Sequence, residues 1–194
     1  MKVIGLTGGI GSGKSTLLRW FKNQGVPCFE SDVVGKHLLN NELRKAVFEE
    51  FGSTFFKKNG SLNTEFLAKK VFNDVNALSN LNRIVHPAVS ASFETFKSNY
   101  RNENFIVKEA AILIETGAYK NCDTVILVKA PLFERIRRIS LRDGIKKAEV
   151  LSRMKNQWSD KRKEAYADYI IQNSNYEECI KQISGVMNIL RKIQ

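Results

Sequence analysis

Eight residues near the start of the chain carry the clearest chemistry. Gly8-Gly9-Ile10-Gly11-Ser12-Gly13-Lys14-Ser15 matches the pattern G-x-x-x-x-G-K-[ST]. Its glycines strip Cβ atoms from a turn, so that successive backbone N–H groups can point inward around a phosphate chain. A helix expected from about Lys14 adds the positive end of its dipole. In such a loop the lysine reaches the β- and γ-phosphates and the Ser15 hydroxyl coordinates Mg2+. A bare glycine-rich turn would meet the four fixed positions by chance in roughly 1% of chains this long. The loop is therefore read as a nucleotide-phosphate site.

Two further groups of residues suit phosphoryl chemistry. Glu30-Ser31-Asp32 follows an apolar run. In an open α/β sheet, ligands sit beyond the carboxyl ends of the strands. A carboxylate there can take a proton from an attacking hydroxyl or hold a Mg2+-bound water. The same residues also suit a helix N-cap, with Ser31 or Asp32 starting a helix at Val33, and spacing alone leaves both readings open. Arg135, Arg137, Arg138 and Arg142, with Lys146, Lys147 and Arg153, form a strongly basic stretch. A charge run is usually a solvated helix face. Beside a phosphate loop, however, arginines 138 and 142 share one helix face, and at least one of the cluster is expected to touch phosphate.

These residues need a scaffold to hold them. Val3-Ile4-Gly5-Leu6 reads as a buried strand, residues 14–23 as a helix stopped by Gly25, and residues 26–29 as a second strand. That is the size of a βαβ unit. Residues from about 33 to 100 carry Leu38/Leu39, Val47/Phe48/Phe51, Phe66/Leu67/Val71 and Leu81/Ile84/Val85 at helical spacings, broken at Gly52, Asn59-Gly60 and Pro87. This predicts a mostly helical insertion. Strands are expected at 105–107, 124–128 and 169–171, helices at 131–142 and 146–156, and a closing amphipathic helix at 176–193. Strands alternating with helices indicate an α/β fold with a largely parallel sheet.

Composition bounds the partners. The 194 residues contain 31 Lys+Arg against 20 Asp+Glu, a formal net charge of +11, which suggests an anionic partner. Cys28, Cys122 and Cys179 are scattered and lack metal-like spacing, so free thiols in a reducing, cytoplasmic compartment are expected. The sequence shows neither an export signal nor an apolar run long enough to span a bilayer, so no membrane partner is expected. The absence of an Asn-Lys-x-Asp motif argues against a GTPase. The absence of an aromatic stacking motif or reader helix argues against a nucleic-acid partner. A small-molecule kinase fits best.

The run Leu6-Thr7-Gly8-Gly9-Ile10-Gly11-Ser12-Gly13-Lys14-Ser15-Thr16 resembles the N-terminus of the dephospho-CoA kinase family and is far narrower than the general loop pattern. Other family markers follow in order: Glu30-Ser31-Asp32 for Asp-x-Asp, His86-Pro87, Ala111-Ile112-Leu113-Ile114-Glu115 for Pro-Leu-Leu-x-Glu, and Arg138, Arg142 and Asp143 for the lid's Arg-x-x-x-Arg-Asp. Gln157, Lys161, Ala167-Asp168 and Asn173 complete the set. Glu30 and Ala111 depart from the family's Asp and Pro.

The resemblance implies a P-loop nucleoside-triphosphate hydrolase fold with a five-stranded parallel core sheet (about 1–32, 101–135 and 165–194). It also implies a helical CoA-side insertion (about 33–100) and a lid (about 136–164). The implied reaction moves the ATP γ-phosphoryl group to the ribose 3′-hydroxyl of dephospho-CoA, with Mg2+; a monomer is expected over an oligomer. Gly11, Ser12, Gly13, Lys14, Ser15, Thr16, Arg138 and Asn173 would bind ATP, with Ser15 on the metal. Asp32 would deprotonate the acceptor, assisted by Lys14 and Arg142. Thr7, Glu30, His86, Pro87, Leu113, Glu115 and Lys161 would lie on the substrate side. For His86 the rival reading is a residue packing or capping at a helix start set by Pro87. The rival activity is a kinase acting on a nucleoside monophosphate or nucleoside.

Overall fold

The computed structural model describes residues 1–192; Ile193, the last residue of the predicted closing helix, lies outside the described residues. Five strands form one parallel sheet, with β1 (Lys2–Thr7) at its centre. It is flanked by β3 (Phe105–Glu109) and β4 (Thr124–Lys129), with β2 (Cys28–Glu30) and β5 (Tyr169–Gln172) at the edges. In register, Ile4 faces Val107 on one side and Thr124 on the other. The near-continuous apolar runs of β1 and β4 follow from burial on both faces of a parallel sheet.

The chain folds as two compact units, one from Met1–Phe29 with the chain from Tyr100 onward, the other Glu30–Asn99. In the first, α1 (Lys14–Asn23) packs Leu17, Leu18 and Phe21 against Ile4, Leu6, Ile126 and Val128. The closing helix adds Cys179, Ile183, Met187 and Leu190 to the same core. A second cluster gathers Ala110, Leu113, Ile114 and Val125. A Cβ on Gly5 would stand 2.7 Å from the Leu113 side chain and 2.9 Å from Cys122 Sγ, so only glycine lets this cluster sit so close to the central strand.

The second unit holds α2 (Ser31–Asn40), α3 (Arg44–Phe51), α4 (Thr64–Asn73) and α5 (Val75–Asn99) around Val47, Phe55, Leu62, Leu67, Val71 and Ala77. Asn63 caps α4 by accepting from the Phe66 N–H at 3.2 Å, and Asp74 Oδ1 accepts from Asn76 and Ala77 at 3.0 Å where α5 begins. The first unit continues with α6 (Leu132–Asp143), α7 (Lys147–Lys155), α8 (Asp160–Glu164) and α9 (Tyr176–Lys192).

Three local expectations change. Pro87 does not break the helix but lies inside α5, so His86 is a mid-helix residue and the helix-start reading falls. A proline removes one i→i−4 bond and costs about 3 kcal/mol; packing of α5 on α2, α3 and α4 offsets that. Secondly, α2 starts at Ser31, and no side chain caps it, so Asp32 is a first-turn residue rather than an N-cap. Thirdly, the short α8, capped by Ser159, falls in a charged stretch with no periodic apolar signal.

Candidate active site

The phosphate loop joins β1 to α1. Gly13 stands at the helix N-terminus with φ 97°, a backbone region that strains any residue with a Cβ. No side chain caps α1, and the N–H groups of Gly11, Gly13 and Ser15 meet no acceptor among the described residues. Uncapped amides at a helix start are the ingredients of an anion site. The Ser12 N–H is turned instead to the Gly9 carbonyl, at 3.0 Å. Its hydroxyl is buried and unpartnered.

Lys14 folds back across the loop. Its Nζ donates to the Gly8 carbonyl at 3.0 Å and stands 3.7 Å from Glu109 Oε1, both side chains being largely buried. Glu109 ends β3, beside β1 in the sheet. Sequence reasoning missed this carboxylate, although an acid closing an apolar strand was a usable signal. Ser15 is exposed at the second residue of α1. A lone hydroxyl suits Mg2+ that takes its other ligands from phosphate and water. No group of three or more His, Cys, Asp or Glu side chains among the described residues could hold a metal without the nucleotide.

Residues far along the chain converge on the loop. Asn173, just after β5, donates from Nδ2 to the Ser12 carbonyl at 2.8 Å. Arg138 donates to the Asn173 carbonyl at 3.1 Å and to the Gly11 carbonyl at 3.5 Å. Arg142 is exposed and pairs with Asp143 at 2.7 Å; this hydrogen bond raises the pKa of the guanidinium and lowers that of the carboxyl. Arg153 reaches the same carboxylate at 2.9 Å. Arg135, a member of the basic run, and Gln157, one of the family markers, contact the Ile10 backbone.

The expected substrate-side residues separate into groups. Thr7 is buried, donating to the Ala110 carbonyl at 2.9 Å, and Leu113 is wholly in the core. Both are scaffold, because no surface of either side chain is open to a ligand. Glu115 Oε1 accepts from the Trp158 N–H at 3.0 Å and from Lys163 at 2.9 Å, leaving a buried, unpartnered Oε2. Lys163 is fully buried, whereas Lys161, the lysine singled out from sequence, is exposed. In the second unit Asp32, His86 and Pro87 are exposed. Partial desolvation lowers the pKa of His86 below the ordinary imidazole value, favouring the neutral ring.

A phosphate loop on the central strand of a five-stranded parallel sheet, with two arginines of α6 on its carbonyls, defines the class of P-loop kinases. The family model for dephospho-CoA kinase matches residues 2–178. A dephospho-CoA kinase of Salinibacter ruber is 34% identical over 99% of this chain and 94% of its own length. A crystal structure of TT1252 from Thermus thermophilus superposes with TM-score 0.85 at 29% identity, covering 100% of this chain and 98% of the other. Dephospho-CoA kinase from Campylobacter jejuni gives TM-score 0.66 at 27% identity, covering 95% and 96%. The chain belongs to the dephospho-CoA kinase family.

Proposed function

We infer that this chain transfers the γ-phosphoryl group of ATP to the ribose 3′-hydroxyl of dephospho-CoA, forming coenzyme A and ADP. The observation that carries the reading is a family match across nearly the whole chain, together with an uncapped phosphate loop bearing Lys14 and Ser15. In the reaction the 3′-oxygen forms a bond to the γ-phosphorus, the bond from that phosphorus to the bridging oxygen of ADP breaks, and the hydroxyl proton passes to a base.

We assign that base to Asp32, an exposed carboxylate on the first turn after a strand of the parallel sheet. Glu30 and His86 are assigned to orienting the acceptor. The free amides of Gly11 and Gly13 and the Lys14 ammonium hold the phosphates, with Ser12 and Thr16 completing the loop wall. Lys14 exchanges its present partners, the Gly8 carbonyl and Glu109, for phosphate oxygens. Ser15 would hold Mg2+, which would supply charge neutralisation on the β- and γ-phosphates. Arg138 and Asn173 brace the loop beside the nucleotide. Arg142, on an exposed helix end, closes over the transferring group and excludes water, which would otherwise accept the phosphoryl group.

The lack of a disulfide between Cys28, Cys122 and Cys179 and the absence of a helix long and apolar enough to cross a membrane among the described residues support a cytoplasmic setting. The test is an acceptor panel: MgATP with dephospho-CoA, nucleoside monophosphates and nucleosides, read by ADP release and product mass. Release with a monophosphate but not with dephospho-CoA overturns the assignment.

A further inference from the structure

The tip of the phosphate loop is held from outside at both polar groups of one peptide residue. The Ile10 N–H donates to Gln157 Oε1 at 2.8 Å, and the Ile10 carbonyl accepts from Arg135 Nε at 2.9 Å. Arg135 is itself held, its Nη1 lying 3.1 Å from Asp160 Oδ2, with both side chains largely buried. Gln157 lies between α7 and α8, Arg135 lies in the first turns of α6, and Asp160 opens α8. Arg135, at the edge of the stretch read as a lid, and Gln157 within it thus meet on Ile10, and Asp160 holds Arg135 from behind.

Two glycines point to the same device. Gly9 and Gly11 occupy variable positions of the G-x-x-x-x-G-K-[ST] pattern, so phosphate binding in general does not demand them. Here a Cβ on Gly9 would lie 2.1 Å from Arg135 Nη2, and one on Gly11 would lie 2.7 Å from the Arg135 carbonyl. Both would collide with the arginine. These glycines make room for Arg135 as well as for phosphate.

We propose that Arg135, Gln157 and Asp160 are positioning residues that clamp Ile10 and so set the curvature of the phosphate loop, coupling the α6–α8 segment to the nucleotide phosphates without touching them. The physical logic is division of labour around a turn. The inward amides of Gly11 and Gly13 must stay unpaired to receive phosphate. The loop can remain open only if its remaining polar groups are fixed by protein, because a loosely held tip would collapse its amides onto other acceptors. A fork with two directional donors is needed at Arg135, since Nε and Nη1 serve different acceptors at once.

The proposal rests on the kinase reading for its turnover assay but not for its binding assay. The variants are Gln157→Met, which keeps length and removes the acceptor, and Arg135→Lys, which keeps charge and removes the fork. Gln157→Glu, which keeps an acceptor, and the Gln157→Met/Arg135→Lys double variant complete the set. MgATP affinity is measured calorimetrically without acceptor, and kcat and KM for both substrates are measured well below each variant's melting temperature. Each single loss variant is expected to weaken MgATP binding about tenfold, with KM for dephospho-CoA within about twofold of the parent. Because both contacts act on one residue, the double variant should lose about ten- to thirtyfold rather than the hundredfold product. Gln157→Glu should retain more of the parental kcat than Gln157→Met. MgATP affinities within twofold of the parent overturn the clamp, as does a full hundredfold product or a parallel rise in the KM for dephospho-CoA. If the binding losses and their coupling appear while dephospho-CoA is not phosphorylated by the parent, the clamp stands and the activity assignment fails.

Discussion

Lys163→Met offers a direct test of how the active-site unit is tied together. The Lys163 side chain is 0% exposed, lies 2.9 Å from Glu115 Oε1 and donates to the Ala111 carbonyl at 3.0 Å. Glu115 also accepts from the Trp158 N–H at 3.0 Å, so this one ion pair fastens α8 to the segment after β3. Removing one partner of a buried pair costs about 3–5 kcal/mol, because the other charge stays buried without compensation. The Glu115 side chain retains 12% exposure, which favours the lower end, about 3 kcal/mol. For a chain of this length that corresponds to a fall in Tm of about 6–12 °C. The assay is urea unfolding followed by circular dichroism at neutral pH, with Lys163→Met compared with Lys163→Met/Glu115→Gln. The double variant removes the orphaned charge while keeping an acceptor for Trp158, and should recover at least about 1 kcal/mol. A loss below about 1 kcal/mol in the single variant, or a double variant no more stable than the single, would refute the reasoning.

Other outcomes follow from the same geometry. Asp32→Asn should leave MgATP affinity within about twofold while turnover falls at least a hundredfold, a size expected for loss of a general base; near-normal turnover removes Asp32 from the chemistry. Gly13→Ala meets both the left-handed backbone at φ 97° and a Cβ only 1.8 Å from Asn173 Nδ2. It should therefore lose the Asn173–Ser12 bond and destabilise by about 2–4 kcal/mol, measurable by the same urea titration; a loss under about 1 kcal/mol means that the loop relaxes freely. Burial raises the Cys122 pKa to about 11, so at pH 8 only about 0.1% is thiolate. Iodoacetamide should label it slowly until urea unfolds the chain, as read by peptide mass spectrometry. Fast native labelling contradicts that burial.

The phosphate loop was legible because its determinants are contiguous. Eight residues specify glycines, lysine and hydroxyl at fixed offsets, and the strand before them and helix after them are visible as short apolar periods. The alternating strands and helices announced a parallel sheet for the same reason: each element's burial pattern is a local property of its own residues. Pro87 was misread because local chemistry counts only the lost hydrogen bond and the ring clash. The packing that sustains α5 comes from three other helices.

Sequence alone determined the class of ligand, the location of the loop and the sign of its partner's charge, since a +11 chain with a phosphate loop and clustered arginines has little chemical ambiguity. Tertiary structure decided how distant side chains hold that loop, including Asn173, which the family resemblance had assigned to ATP without saying which group it meets. Gln157 and Asn173 reach it from 147 and 161 residues away, and no periodicity marks an amide that will meet a carbonyl at such separation. It also decided which cation of the run 161–163 is buried: Lys163 is enclosed while Lys161 is exposed. Neighbouring residues of one type share their intrinsic chemistry and differ only in direction from the helix axis. That direction acquires meaning only when Glu115 arrives from another part of the fold.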